Sequence, residues 1–207
     1  MAAQALDPLS KLVTVFGGSG FLGRHVVRAL AKRGYRIRVA VRRPDLAGHL
    51  QPLGRVGQIH AVQANLRFKN SVEAAVAGSD AVVNLVGIMQ QTGRQRFDAV
   101  QAFGARVVAQ AAAGIGAPLV HVSALGADAT SASLYARTKA AGEEAVLAAV
   151  PDAVVFRPSV LFGPEDAFFN RFGQGTNAYL EGKARAAQIQ ALEAKSDGDL
   201  ALMGLTR

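Results

Sequence analysis

The stretch Leu12–Gly23, "LVTVFGGSGFLG", decides how the rest of the chain is read. Leu12–Phe16 is a short, β-branched apolar run, too short for a helix, and it reads as a buried strand. Three glycines follow at three-residue spacing: Gly17, Gly20 and Gly23. Phe21–Arg33, "FLGRHVVRALAKR", then carries apolar residues at helical spacing and ends at Gly34, in a C-cap position. Strand, glycine turn and helix in that order are the setting in which such a triplet binds a dinucleotide. Gly17 permits the tight turn, Gly20 lets the backbone approach a pyrophosphate, and Gly23 lets the helix pack closely on the strand. Phe21 and Leu22 open the helix, where free N–H groups and the helix dipole favour an anion.

The same alternation continues outward. Ile37–Val41, His60–Ala64, Ala81–Val86, Leu119–Val122 and Ala153–Phe156 read as further strands. Val72–Ala77 reads as a short helix, Phe97–Ala113 as a long one ending at Gly114, and Leu134–Val150 as a third, stopped by Pro151. Strands alternating with helices over about 150 residues call for an α/β fold, a doubly wound parallel sheet of the Rossmann type. Ligands of such sheets bind beyond the carboxyl ends of the strands, so function is expected just after each strand.

Composition narrows the chemistry. The 207 residues contain no cysteine, which excludes structural disulfides and cysteine-ligated metal. The four histidines, His25, His49, His60 and His121, are scattered at no ligand spacing, so no metal is expected. The net charge of +8 is uneven: residues 1–60 hold ten Lys/Arg against two Asp, and residues 61–207 are balanced. No aromatic-rich basic strand or recognition helix accompanies that charge, so a nucleic-acid partner is disfavoured and some arginines are expected to serve a bound phosphate. The start "MAAQALDPLSK" lacks the layout of a secretion signal, and no run of about 18 apolar residues is present to cross a bilayer. The expectation is a soluble protein facing the cytoplasm.

The end of the second strand bears on which dinucleotide is bound. NAD sites place an Asp or Glu about twenty residues beyond the glycines to hold a ribose hydroxyl. Here "RVAVRRP" puts Arg42 and Arg43 at that place. Guanidinium pairs with a 2′-phosphate where a carboxylate repels it, so NADP(H) is favoured, with NAD(H) as the alternative.

Three residues suggest reaction chemistry. Tyr135 and Lys139 lie four apart on an expected helix, hence on one face. Ser123 stands twelve residues earlier, just past the fifth strand. An ammonium near a phenol favours the phenolate and brings it toward acid–base range, and a serine hydroxyl can stabilise charge developing on a substrate oxygen.

With these residues in register the chain resembles the short-chain dehydrogenase/reductase superfamily, in its extended or atypical branch. "VFGGSGFLGRHVVRAL", "NLVG" (Asn84–Gly87), "HVSALGA", "YARTKAAGE" and "FRPSVLFGPED" carry the resemblance across about residues 10–172. The later motifs, with "FFNRF" following, are most similar to the alpha subcomplex subunit nine family of NADH:ubiquinone oxidoreductase (complex I) and its bacterial relatives. The resemblance implies a bound NADP(H) with a structural or regulatory role outside the electron path. It implies that Gly17, Gly20 and Gly23 cradle the diphosphate and that Arg42 takes the 2′-phosphate. Asn65, Leu66 and Val86, with Gly87, would line the adenine side of the site. Lys139 would reach the nicotinamide ribose, and Pro158 and Ser159 would close over the nicotinamide. It also implies a membrane-bound respiratory complex as partner, met through its soluble arm at the inner face of the energy-transducing membrane.

Beyond Phe172 the pattern breaks. Residues 1–172 read as the nucleotide-binding domain and 173–207 as a short helical tail, with Tyr179–Ala194 amphipathic and Ser196 able to cap a final helix. "LEAKSDGDLALMGLTR" resembles a small bacterial helical domain; a truncated or divergent substrate lobe is the alternative. Three functions stay open: an accessory or assembly subunit of a respiratory complex, a catalytic NADP-dependent oxidoreductase or epimerase using Ser123, Tyr135 and Lys139, and a redox-sensing NADP(H)-binding protein.

Overall fold

Alternation along the first strand explains the layering. In β1 (Leu12–Phe16), Val13 and Val15 point to one face of the sheet, while Thr14 and Phe16 point to the other. All four are buried, as a strand with helices on both sides requires. The computed structural model describes residues 11–163 and 165–166. The elements after β1 are α1 (Phe21–Lys32), β2 (Arg36–Val41), β3 (Ile59–Gln63), α2 (Lys69–Val76), β4 (Ala81–Asn84), α3 (Phe103–Gly114), β5 (Leu119–Val122), α4 (Leu134–Ala149) and β6 (Val154–Phe156). They fall in the first of two units, residues 1–161 and 162–207.

The strands form one parallel sheet in the order β3-β2-β1-β4-β5-β6. Val13 stands opposite Ile37 of β2 on one side and Ala81 of β4 on the other. The chain therefore winds one way from β1 to β3 and the other from β4 to β6, which opens a crevice above β1 and β4. One core holds Val15, Val27, Val39, Leu50 and Ile59 on the α1 face. The other holds Phe16, Val72, Val82, Val108, Leu119 and Val146 beneath α2, α3 and α4. Thr14 is tolerated in the second core because its hydroxyl donates to the Ala75 carbonyl at 3.2 Å and meets Ser79 Oγ at 2.6 Å.

Several boundaries differ from the sequence expectation for visible reasons. β4 stops at Asn84 rather than Val86, because the Asn84 side chain turns to accept the Val86 N–H at 3.1 Å. The helix expected over Phe97–Ala113 is not α-helical throughout: Asp98–Ala102 is a π turn, and regular α3 starts at Phe103. Gln101 in that turn is buried, donates to the Ile88 carbonyl at 2.8 Å and accepts from Thr138 Oγ at 2.9 Å. α2 begins earlier, at Lys69. Two 3₁₀ segments, Pro44–Leu46 and Gly48–Leu53, make the crossover from β2 to β3 in place of an α-helix. The expected tail elements, Tyr179–Ala194 and the Ser196 cap, lie outside the described residues.

Candidate functional site

The glycine turn is built by backbone contact. Gly17 has φ of 76°, where a side chain is strained, and a Cβ there would stand 3.1 Å from Leu85 C and Val86 N. Gly23 has no room at all: a Cβ would lie 2.2 Å from the Gly17 carbonyl oxygen and 2.6 Å from Gly18. Gly18, which spacing alone does not single out, would drive a Cβ to 2.7 Å from Val39 Cγ1. Gly20 differs from all three. Its Cβ would meet only the Gly17 oxygen, at an ordinary 3.4 Å, so nothing within the protein demands a glycine there. Gly20 is also the N-cap of α1 and offers no side-chain acceptor, and the first turn of that helix carries no acidic residue. Its leading N–H groups and dipole are left for an anion.

A cavity of about 460 Å³ lies over this turn. It is lined by Gly17, Ser19 and Gly20 after β1, Arg42 after β2, and Asn65, Leu66 and Arg67 after β3. Val86 and Gly87 line it after β4, as do Thr92, Arg94 and Gln95 of a small turn and Ala99 and Val100 of the π turn. The two arginines after β2 part company. Arg43 is held by Asp45 through three hydrogen bonds of 2.7–3.3 Å, is exposed, and does not line the cavity. Asp45, mainly through its hydrogen bonds, raises the Arg43 pKa, and Arg43 lowers that of Asp45. Arg42 lines the cavity and makes no ion pair among the described residues. Arg67 and Arg94 were not anticipated; they stand on loops without a motif, and only the fold brings them here.

Lys139 stands behind Gly87, one of the residues that line the cavity. Its Nζ donates to the Val122 carbonyl at 3.3 Å and would be 3.2 Å from a Cβ on Gly87. Lys139 is 5% exposed, and burial pulls its pKa from 10.5 to about 8, against the Glu143 carboxylate, which raises it. Tyr135, one turn earlier on α4, is half-buried with its ring edge-on to Phe97, centroids 5.7 Å apart; burial raises its pKa. Ser123 sits deeper. Its Oγ is fully buried with no acceptable hydrogen-bond geometry, though it lies near enough to help lower the Glu143 pKa. Ser123, Tyr135, Lys139, Pro158 and Ser159 do not line the cavity, nor do Phe21, Leu22 and Gly23 of α1. Pro158 is tied to the loop after β5, accepting the Leu125 N–H at 2.9 Å, and Ser159 is exposed.

A second polar group lies under this end. Glu143, 4% exposed, accepts Arg157 Nε on both oxygens at 3.0 Å, and Arg157 Nη2 on Oε2. Burial alone would raise the Glu143 pKa, but Arg157, Ser123 and His121 outweigh it and the net shift is downward. Asn84 Nδ2 faces His121 Nδ1 at 3.2 Å. All four lie in the quoted motifs but were given no site role from the sequence, yet Glu143 was within reach: it follows Lys139 by one helical turn.

The build fits a nicotinamide dinucleotide: a bare helix N-terminus at a glycine corner, a cavity across the switch in strand order, and a buried lysine next to Gly87 of its lining. The chain is 38% identical over 155 residues to ceramide reductase of Caulobacter vibrioides, covering 75% of this chain and 48% of that one. It is equally 38% identical over 164 residues to the mouse mitochondrial NADH dehydrogenase [ubiquinone] 1 alpha subcomplex subunit 9, covering 78% and 43%. The chain thus spans under half the length of these two relatives. Among solved structures, the Bordetella bronchiseptica enzyme WbmH, in complex with NAD+, superposes with a TM-score of 0.67 at 20% identity, covering 80% of this chain and 63% of that one, a likeness of fold. Residues 13–199 match the pattern of one family across most of the chain, and the protein belongs to the NAD dependent epimerase/dehydratase family.

Proposed function

We propose that this chain binds NADP(H) and serves as an accessory or assembly-type protein of a respiratory complex, with the cofactor in a structural or regulatory role. The observation that carries the cofactor choice is Arg42: it lines the cavity where NAD sites keep a carboxylate, and among the described residues it makes no ion pair. Gly17 and Gly20 with the start of α1 hold the diphosphate, Arg42 the 2′-phosphate, Asn65, Leu66 and Val86 the adenine side, and Lys139 the nicotinamide ribose. The accessory role draws support from the similarity to subunit 9. The site of action follows as the soluble arm of a membrane complex on the cytoplasmic face. Among the described residues no helix is long and apolar enough to cross a membrane.

A second reading, an NADP-dependent reductase or epimerase, is favoured by Tyr135 and Lys139 on one helix face and by the similarity to ceramide reductase. NADP(H) bound here supplies or accepts a hydride; Tyr135 would then hold the proton at the substrate oxygen, with Lys139 as the neighbouring cation.

Calorimetry with NADPH and NADH tests the cofactor choice. Arg42→Ala is expected to weaken NADPH by about 1.5–3 kcal/mol, roughly ten- to a hundredfold, and to leave NADH unchanged. Arg43→Ala is expected to do much less, because its guanidinium already faces Asp45. Equal NADPH and NADH affinity in the wild type overturns the choice. Co-purification with a membrane respiratory complex supports the accessory role, and turnover of a carbonyl substrate supports the second reading.

A further inference from the structure

Behind Lys139, between β5 and α4, four polar side chains are packed away from water: His121, Ser123, Lys139 itself and Glu143, each 5% exposed or less. A buried ammonium is costly unless something opposes the cost. The groups facing Lys139 can be taken element by element. From β4, Asn84 accepts the Val86 N–H on Oδ1 and so turns its amide NH2 to His121. His121, on β5, then accepts at Nδ1 and carries its hydrogen on Nε2, so it is neutral. Ser123, also at β5, is a neutral hydroxyl, and Tyr135, on α4, is a neutral phenol. From the end of β6 comes Arg157, a cation, half-exposed and bound to Glu143. That leaves Glu143 as the one anion among them, on the same helix face as Lys139 and one turn away.

We propose that Glu143, locked by Arg157, is a positioning residue that keeps Lys139 an ammonium through the neutral range and so sets the pH range over which the dinucleotide is held. The geometry divides the labour. Arg157 reaches Glu143 from the solvent side, where water screens its charge, and keeps the carboxylate ionised. The carboxylate is itself buried, so its field on Lys139 is poorly screened. Burial leaves Lys139 near 8 with the carboxylate present. Without it, the ammonium would titrate lower, within the neutral range, and its bond to a ribose hydroxyl would weaken as the charge is lost. The inference rests on the reading of the cavity as a dinucleotide site.

The test titrates Lys139 directly in the cofactor-free protein, through its 13Cε NMR shift, beside NADPH affinity measured from pH 6 to 9. In Glu143→Gln, which retains a hydrogen bond for Arg157, the Lys139 midpoint is expected to fall by about one pH unit or more. NADPH affinity should fall severalfold at pH 8 and stay near wild type at pH 6. Glu143→Asp, which keeps the charge, should stay close to the wild-type midpoint. A uniform loss of affinity at every pH with an unmoved Lys139 midpoint would mean a merely structural Glu143 and overturns the proposal. Should Glu143→Gln fail to fold, the wild-type midpoint still decides: a value near 10.5 means that no buried cation needs support, and a value below 6.5 means that Glu143 gives none. If the wild type binds no nicotinamide dinucleotide, the reading of the cavity fails, while the Lys139 titration still judges Glu143.

Discussion

The two halves of the sheet are specified by different physics. On the β1–β3 side the site is made of close-packed backbone: a side chain at Gly17, Gly18 or Gly23 would come within 2.2–3.1 Å of its nearest neighbour, and the chemistry is an exposed helix terminus with Arg42 and Arg67 on the cavity wall. On the β4–β6 side it is made of buried side chains: Asn84, His121, Lys139 and Glu143 hold one another in a low-dielectric space, and Arg157 closes the group from outside. The first half tolerates almost no change in shape, and the second almost no change in charge. A phosphate needs only fixed N–H donors and a cation, whereas a lysine that meets a ribose, or tunes a phenol, needs its protonation set by neighbours.

The sharpest way to break this comparison is to separate shape from binding within the glycine turn. Gly23→Ala places a methyl 2.2 Å from the Gly17 oxygen, with backbone atoms of Gly18 close behind, and no flexible side chain can give way. The expected cost is about 3 kcal/mol or more in urea unfolding. Gly20→Val, where the chain has space, should cost only about 1 kcal/mol or less, the penalty of a valine at the α1 N-cap, while nearly abolishing NADPH binding, because the side chain fills the approach to the diphosphate. Two variants with equal stability losses would mean that the turn is a packing device only.

Charge is broken next, through pH. Burial first, then the Lys139 charge, lowers the His121 pKa from 6.5 to about 4, against Glu143, which raises it. A histidine depressed in the folded state binds its proton more readily when unfolded. Its contribution is therefore fully present above pH 6.5 and is lost as pH falls from 6.5 toward 4. The loss is up to about 3 kcal/mol. His121→Gln should flatten that limb of the stability profile and leave the region above pH 7 parallel to wild type. An unchanged slope would show that His121 is not the group that resists charging.

What was legible in the sequence divides along the same line. The alternation of strands and helices, the doubly wound parallel class and the glycine turn follow from periodicities of two and 3.6 residues and from local spacing, and these are properties of contiguous residues. The early end of β4 and the π turn at Asp98–Ala102 were not legible, because each depends on a side chain, Asn84 or Gln101, bonding across the fold. Arg42 and Arg43 look alike in "VRRP", and only the Asp45 contact tells them apart. Glu143 is four residues from Lys139 in the sequence, but its partner Arg157 is fourteen away, on another element.

The smallest expected effect is also the one that tells most about the second half. In Tyr135→Phe the ring remains to stand edge-on to Phe97, and only the hydroxyl is lost. If the chain is an accessory protein, NADPH affinity and the thermal shift on adding NADPH should both match wild type. Lys139→Ala should then behave differently, lowering affinity and shrinking the thermal shift, since a ligand stabilises only as far as it binds the folded state. Together the pair separates a lysine that holds cofactor from a tyrosine with no remaining task. NADPH-dependent reduction of a small carbonyl compound by the wild type, lost in Tyr135→Phe with cofactor affinity intact, would reverse the conclusion and make the β4–β6 half a working reductase site.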